Sequence, residues 1–225
     1  MPRQEAGTRP ACALPYDLAV DGCLRADAAS FAINFSASTD GFGQRSAGAP
    51  FRVYAPGKVR SADSGATWRQ GRAWDYAVTA GSRLADEWPL TLFDQAKYHL
   101  CVYGPNGFYR EFRGSAVDPR IRVSLRPARL GNRASGDAVL EVANEDPTGP
   151  VTVRIEDVSY GAPARTVHLG ATGRSDASVT VTLPLGSSFG WYDLRISVED
   201  RRFFEQRYAG HIETGSESSS DPLMA

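Results

Sequence analysis

The sequence is poor in cysteine and histidine and has no long apolar run, and each scarcity excludes a class of protein. No apolar run approaches the roughly 20 residues that a membrane-spanning helix requires. The three cysteines form no Cys-x-x-Cys pair and the three histidines form no His-x-His pair, so the usual spacings of a zinc site are missing. A Gly-x-Ser-x-Gly nucleophile elbow is also missing. We therefore expect no catalytic residue, no metal ligand and no cofactor in this chain.

Charge and composition narrow the possibilities further. The formal net charge is −1 at pH 7, so there is no basic surplus that would predict a nucleic-acid partner. Hydrophobic residues make up 42% of the chain and charged residues 23%, values typical of a globular protein rather than a disordered one. The first ten residues are polar and lack the apolar stretch of a secretory signal. They indicate a linker, and we expect the chain to start inside a longer protein.

The cysteines are Cys12, Cys23 and Cys101. Strand alternation that turns Tyr98 and Leu100 inward turns Cys101 outward, away from the inter-sheet cysteine position of an antibody domain. Cys12 and Cys23 flank a predicted extended strand, which disfavours a bridge between them. We expect three free thiols, and an odd number of cysteines leaves the cellular compartment undecided.

Alternation of apolar and polar residues with a period of two runs through the sequence and predicts β-strands. Turn-forming sequences such as Asp40-Gly41 and Gly104-Pro105-Asn106-Gly107 separate the alternating runs. About seven runs fall in each half, the number expected of an immunoglobulin-like sandwich. No amphipathic helix is predicted, although residues 83–87 can form one short turn.

One phrase occurs twice. Tyr98-His99-Leu100 recurs as Tyr192-Asp193-Leu194, each after a bend and before a hairpin. The pattern predicts that Tyr98 and Tyr192 are corner tyrosines, whose hydroxyls bond to backbone just upstream. We therefore predict two tandem immunoglobulin/fibronectin-like antiparallel β-sandwiches. The predicted ranges are a linker over 1–14, one sandwich over 15–116, a second over 117–212 and a flexible tail over 213–225.

Aromatic residues are the remaining candidates for contact with another molecule. Trp68 lies in a predicted polar loop, residues 61–72, where no core position explains it. Trp68 is therefore the candidate surface contact. Trp74, by contrast, is expected to pack in the core.

Two further predictions concern charged or titratable side chains. His99 and His168 occupy strand positions whose neighbours face inward, so both are expected to face solvent. Arg110 lies between Phe108 and Phe112 on a face that should be apolar. Either a bulge or an arginine with a buried stem would explain that position.

Three stretches of sequence together resemble a known family. They are the linker over 4–10 running into Ala13-Leu14-Pro15-Tyr16, the hairpin 103–114 with its turn Gly104-Pro105-Asn106-Gly107, and the ending Tyr208-Ala209-Gly210 with Ser220-Asp221-Pro222-Leu223. The chain resembles the C-terminal region of the bacterial phosphocholine-specific phospholipases C, both hemolytic and non-hemolytic. The hairpin is the more specific part of this resemblance, which covers nearly the whole chain.

The resemblance implies two tandem copies of a family-specific C-terminal domain. It also implies an upstream catalytic domain that hydrolyses phosphatidylcholine or sphingomyelin to phosphocholine, in a parent protein that is secreted or periplasmic. Because the catalytic machinery belongs to that upstream domain, no catalytic or metal-binding residue is carried over to this chain.

The leading functional hypothesis is a non-catalytic accessory region that supports the catalytic domain or its contact with a lipid surface. The alternative is a stand-alone carbohydrate- or surface-binding module. A large apolar patch at the junction of the halves would favour the first hypothesis, and a shallow groove lined by Trp68 and tyrosines would favour the second. A complete enzyme has little support, since no acid–base or nucleophile constellation is found.

Overall fold

The computed structural model describes residues 7–61 and 67–224, and β-strands dominate these residues. Sixteen strands occur in them: β1 Pro10–Ala11, β2 Leu18–Leu24, β3 Ser30–Ala37, β4 Ala49–Arg60, β5 Trp68–Val78, β6 Arg83–Pro89, β7 Lys97–Tyr103, β8 Tyr109–Ser115, β9 Ile121–Leu130, β10 Arg133–Asn144, β11 Val151–Asp157, β12 Arg165–Leu169, β13 Ser178–Leu183, β14 Trp191–Val198, β15 Glu205–His211 and β16 Ser218–Ser219. Short 3-10 turns lie at Gly43–Arg45, Leu90–Leu92, Asp94–Ala96, Gly186–Ser188 and Pro222–Met224. Within the described ranges, no helix is long and apolar enough to cross a membrane.

The strands follow the same order in both halves. In the first half, β2, β3 and β6 form a three-stranded antiparallel sheet, and β8, β7, β4 and β5 pair in that order. In the second half, β9, β10 and β13 form the three-stranded sheet, and β15, β14, β11 and β12 pair in that order. The predicted all-β, antiparallel fold class is confirmed.

Aromatic contacts join the two sheets of the first half. Phe31 and Phe35 of β3 point into the interior, where their ring centroids lie 5.4 Å from that of Phe112 and 5.5 Å from that of Phe51, respectively. All four side chains are at most 2% exposed. Alternation in β3, β4 and β8 therefore buries one face of each strand, as a two-layer architecture requires.

A single sheet runs through both halves. β8 pairs antiparallel with β15, which joins the strands into one eight-stranded sheet in the order β12-β11-β14-β15-β8-β7-β4-β5. In this register Arg110 lies opposite Tyr208, and Phe112 lies opposite Gln206. Without this pairing, β8 and β15 would each be an edge strand with unpaired backbone N–H and C=O groups. The pairing satisfies those groups in both strands. The division into two domains near residues 115–118 stays a prediction.

Arg110 is buried where the two halves meet, and it is only 1% exposed. Its Nη1 donates a hydrogen bond to the carbonyl of Ala209 at 2.9 Å, and its Nη2 donates to the hydroxyl of Tyr192 at 3.0 Å. The guanidinium carbon lies 4.0 Å from the ring centroid of Phe108 and 4.8 Å from that of Tyr208. Nη1 also donates to the carbonyl of Tyr109 at 2.8 Å, whereas Nε has no hydrogen-bond partner among the described residues. Carbonyl oxygens, a hydroxyl and aromatic faces thus replace most of the water that the cation loses.

This position differs from both explanations that the sequence suggested. The pairing of β7 with β8 shows no register shift at Arg110, so a bulge is not the reason. The guanidinium is buried together with the stem of the side chain. The inner face of β8 can hold an arginine here because three of the residues that contact the guanidinium, Ala209, Tyr192 and Tyr208, belong to the second half.

A second contact between the halves involves β2 and β9. Arg129 Nη2 lies 2.5 Å from Asp17 Oδ2, and Arg126 Nη1 donates to Asp21 Oδ1 at 3.1 Å. Asp17 is buried by this arrangement. Two ion pairs therefore hold β2 and the residue just before it against β9.

Two segments expected to lack strands contain them. Residues 83–87, expected to form one short turn, lie within β6, where burial alternates up to the buried Trp88. Of the predicted loop 61–72, residues 68–72 belong to β5, and residues 62–66 lie outside the described part of the chain. β5 and β6 are edge strands of their sheets. Their many charged side chains obscure the alternation of apolar and polar residues from which strands are predicted.

Residues 213–223, expected to belong to a flexible tail, lie against the rest of the protein. β16 pairs antiparallel with β1, with Ser219 opposite Pro10. Trp191 Nε1 donates to the carbonyl of Ser219 at 2.9 Å, and the Tyr160 hydroxyl donates to Asp221 Oδ1 at 3.1 Å. The segment before β2 and the segment after β15 are therefore held by each other.

Tyr98 and Tyr192 occupy matching positions in β7 and β14, and each is 3% exposed. The corner bond predicted for them is absent: within the described residues, neither hydroxyl bonds to upstream backbone. The Tyr192 hydroxyl instead accepts the hydrogen bond from Arg110. The Tyr98 ring stacks on Phe31 with centroids 4.3 Å apart, and its hydroxyl makes no hydrogen bond to the described part of the chain.

This difference predicts unequal effects of two matched substitutions. Tyr192→Phe removes an acceptor from a buried cation and should lower the free energy of unfolding by about 1.5–3 kcal/mol. Tyr98→Phe removes a hydroxyl without a protein partner and should change it by less than about 0.5 kcal/mol. Denaturant titration of the two variants measures both values. Equal losses at the two positions would contradict the role assigned to Arg110.

Candidate functional site

The outer face of the eight-stranded sheet carries a row of polar side chains on both sides of the junction. In β7 and β8, alternation sends every second residue to this face. The side chains concerned are His99, Cys101, Tyr103, Tyr109, Glu111 and Arg113.

Four of these side chains form a compact cluster, defined here as His99, Cys101, Tyr109 and Glu111. Cys101 lies directly opposite Glu111 in the register of β7 and β8. His99 Nε2 is 2.7 Å from Glu111 Oε1 and 3.5 Å from Cys101 Sγ. The Tyr109 hydroxyl donates to the other carboxylate oxygen, Glu111 Oε2, at 2.9 Å.

Burial and hydrogen bonds shift the pKa values in the cluster. Burial lowers the pKa of His99, but its hydrogen bonds to Cys101 and Glu111 outweigh burial and raise the pKa to about 9. The hydrogen bond from His99 lowers the pKa of Glu111 despite the opposing effect of burial. Burial, together with neighbouring Cys101 and Glu111, raises the pKa of Tyr109. The cluster therefore favours a carboxylate beside an imidazolium when no other cation is present.

Two expectations about these strands need correction or refinement. His99 was expected to face solvent, but only 33% of its side chain is exposed because Glu111 and Cys101 cover it. Cys101 points to the outer face as expected, yet its neighbours leave it 5% exposed. His168 is exposed, and Cys12, Cys23 and Cys101 are free cysteines, as expected.

Ion pairs continue the polar row across the junction into the second half. Glu205 forms ion pairs with Arg113 of β8, at 3.5 Å, and with Arg195 of β14, at 3.4 Å. Farther along, Arg207 meets Asp193 through two contacts of 2.7 and 2.6 Å. The two-point geometry and the 6% exposure of Asp193 make this pair stronger than an ordinary surface ion pair.

Aromatic side chains lie on the same outer face of the first half. The rings of Tyr103 and Tyr109 are 5.2 Å apart, and Tyr54 of β4 lies opposite Cys101 in the strand register. Trp68, the candidate surface contact, is 39% exposed and lies opposite Arg60, whose guanidinium carbon is 5.0 Å from the ring centroid. Trp68 is the first residue of β5 rather than part of a loop, and the guanidinium of Arg60 lies against its ring.

The turn Gly104-Pro105-Asn106-Gly107 connects β7 to β8. Asn106 and Gly107 have φ values of 52° and 71°, and the Phe108 amide donates to the Pro105 carbonyl at 3.1 Å. Positive φ at both central residues is the geometry that Asn-Gly favours in a two-residue hairpin turn. Asn106 Nδ2 also donates to Glu213 Oε1 at 2.7 Å, which fastens the turn to the segment after β15.

A groove of about 730 Å³ lies between the halves beside β2 and β9. Two of its acidic residues, Asp17 and Asp21, are already paired with Arg129 and Arg126. These two ion pairs neutralise the side of the groove formed by β2 and β9, and Asp40 and Arg83 also line it.

The sequence gives a weak signal for the cluster. His99 and Cys101 are two residues apart on a strand, which places both on one face, but spacing rules for metal and catalytic motifs look along a single segment. Glu111 joins them only through the pairing of β7 with β8. The length of the hairpin turn determines which residues of β7 and β8 lie opposite each other. The Asn106-Gly107 turn was therefore the signal in the sequence that could have placed Glu111 opposite Cys101.

Comparison with known proteins identifies the family. The family model described as "Bacterial phospholipase C, C-terminal domain" matches the chain twice, over residues 10–115 and 119–211. The chain is 36% identical over 228 residues to a non-hemolytic phospholipase C of Burkholderia pseudomallei, covering 100% of this chain and 29% of that protein. It is 30% identical over 234 residues to a hemolytic phospholipase C of Pseudomonas aeruginosa, covering 100% of this chain and 30% of that protein.

The chain therefore belongs to the family of bacterial phospholipase C C-terminal domains. A non-hemolytic phospholipase C of Pseudomonas aeruginosa is also similar, at 32% identity over 234 residues. The chain spans about 30% of the length of the curated relatives that it matches. The matched part is their C-terminal region.

The ion pair between Asp193 and Arg207 predicts an acid-sensitive contribution to stability. Burial raises the pKa of Asp193, but the bonds from Arg207 and Ser159 outweigh burial and lower it below its usual value. A lowered pKa in the folded state stabilises the protein above the unfolded value of about 3.9, and the stabilisation disappears as the pH falls through the folded value. Asp193→Asn should lower the free energy of unfolding by about 1–3 kcal/mol at pH 7, and progressively less below pH 4.

Denaturant titrations at pH 7, 5 and 3 measure this dependence. Asp200→Asn is the matched control, because Asp200 is exposed in the turn between β14 and β15 and asparagine tolerates its φ of 62°. The control should match the parent chain at each pH. A constant difference between Asp193→Asn and the parent down to pH 3 would contradict the ion-pair account.

Proposed function

We propose that this chain is a non-catalytic accessory region of an exported bacterial phospholipase C. The catalytic domain of the parent protein would hydrolyse phosphatidylcholine or sphingomyelin to phosphocholine. The accessory region would support that domain and its contact with the lipid. The observation that carries the proposal is the double match to a C-terminal domain family along a chain that covers only about 30% of its phospholipase C relatives.

The geometry supports a structural role. One sheet runs through both halves, buried Arg110 and two ion pairs connect them, and the segments at both ends pair as β1 and β16. Such an arrangement forms a stiff platform rather than two loosely linked modules, because many contacts must break before the halves can move apart. A stiff platform suits a region that supports a neighbouring domain.

Phosphocholine release tests the proposal directly. Three purified proteins are compared on phosphatidylcholine vesicles with added divalent metals: the isolated chain, a full-length family member that contains this region, and the same protein truncated before it. We expect no release from the isolated chain and full activity from the full-length protein. The truncated protein should lose activity, thermal stability or both. Turnover by the isolated chain would overturn the non-catalytic assignment, and a truncated protein equal to the full-length one in activity and stability would overturn the accessory role.

A binding module remains the second candidate, because Trp68, Tyr54 and Tyr103 expose aromatic surface on one face. If this face contacts lipid or sugar, Trp68→Ala should weaken binding of the isolated chain to phosphatidylcholine vesicles or to a glycan array. Phe203→Ala is the matched control, since Phe203 is 57% exposed but lies in the turn before β15. Equal binding by both variants and the parent chain would exclude a role for Trp68.

A further inference from the structure

Three side chains of the cluster carry atoms of the kinds that bind metals, and these atoms lie close together across two strands. His99, Cys101 and Glu111 each offer a donor atom, and these atoms all lie within 4.8 Å of one another. They form the one such group found in the described ranges, 7–61 and 67–224. Their positions follow from the backbone, since His99 and Cys101 share a face of β7 and Glu111 lies opposite Cys101.

Two of the three donor separations are within 1 Å of those in a tetrahedral site, and the third, between Cys101 and Glu111, is at most 4.8 Å. Zinc bonds of about 2.0–2.3 Å place neighbouring donor atoms about 3.3–3.6 Å apart in a tetrahedron. The observed distance from Cys101 Sγ to His99 Nε2 is 3.5 Å. The distance from His99 Nε2 to Glu111 Oε1 is 2.7 Å, a hydrogen bond that must open by less than 1 Å to admit a metal.

A nucleophilic triad would use the same residue types, but the geometry argues against one. In a triad, the nucleophile and the carboxylate contact opposite nitrogens of the imidazole. Here Cys101 and Glu111 both contact Nε2 of His99. Cys101 is also 5% exposed, which leaves little room for a substrate to reach its sulfur. Convergence of three donors on one point suits a cation rather than a substrate.

The donor chemistry selects the cation. A thiolate with an imidazole suits a borderline-soft metal such as zinc, whereas calcium and magnesium prefer oxygen ligands. One thiolate and one carboxylate together balance the two positive charges of the ion. The Tyr109 hydroxyl holds the carboxylate from its far side, as residues behind a metal ligand commonly do. Arg113 lies 4.0 Å from Glu111 and also forms an ion pair with Glu205. Arg113 would therefore keep a carboxylate partner if a metal ion replaced it beside Glu111.

We propose that His99, Cys101 and Glu111 bind one zinc ion, with a fourth position left for water or for a group of another molecule. This site belongs to the accessory region itself and does not depend on the phospholipase assignment. Zinc would join β7 to β8 on the outer face of the sheet, next to the junction.

Metal titration of the isolated chain tests the site. The chain is stripped with a chelator, reduced with a phosphine and titrated with zinc against a chromophoric competitor. Cobalt is then used as a spectroscopic probe, because a cobalt–thiolate bond gives a charge-transfer band that oxygen and nitrogen ligands do not. We expect one equivalent of zinc per chain and a cobalt–thiolate band. Tyr109→Phe should weaken zinc binding by about 10–100-fold while keeping the band.

Substitution of the proposed ligands tests whether zinc binds at this site. Cys101→Ser and Glu111→Gln should each weaken binding by at least about 100-fold, and Cys101→Ser should abolish the band. Cys23→Ser is the control and should bind like the parent chain; burial, followed by the nearby Glu145, raises the pKa of Cys23 to about 11 and keeps that thiol protonated. Circular dichroism confirms that each variant is folded. Absence of stoichiometric binding, or binding that survives in folded Cys101→Ser, would overturn the proposal.

Discussion

The pairing of β8 with β15 places an arginine in the interior of both halves at once, and much of the structure depends on that contact. A buried guanidinium costs several kcal/mol in lost hydration unless other groups replace the water. Ala209 and Tyr192 accept its hydrogen bonds, and Phe108 and Tyr208 offer their ring faces. Because three of these four residues belong to the second half, the arginine is stable only when the halves are joined.

The joined sheet gives the protein its continuous outer face. Glu205 of β15 forms ion pairs with arginines on both sides of it, one from β8 and one from β14. The cluster of His99, Cys101, Tyr109 and Glu111 lies next to this row. An accessory region that supports a catalytic domain needs a fixed surface, and the shared sheet fixes the positions of these side chains relative to one another. The shared sheet thus provides the fixed surface that the proposed accessory role requires.

Much of the fold follows from local sequence. Period-two alternation predicts most strands, the repeated Tyr-x-Leu phrase marks β7 and β14, and the Asn106-Gly107 turn marks the hairpin from β7 to β8. The prediction fails where charged side chains interrupt the alternation, as in β6 and the start of β5. It also fails for Arg110 and for the segment after β15, because their partners lie in other strands and loops that are distant in the chain. Strand alternation indicates which way a side chain points, but only long-range pairing determines what it meets.

The central claim is that the two halves form one body through β8 and β15. Native-state hydrogen exchange measures this claim directly, through the backbone amides of residues 109–113 and 205–209 that face each other across the junction. If the halves are one body, these amides should exchange as slowly as the core strands and only through global unfolding. Exchange as fast as at an open edge strand, with the cores of both halves still protected, would show that the junction opens independently and would contradict the account.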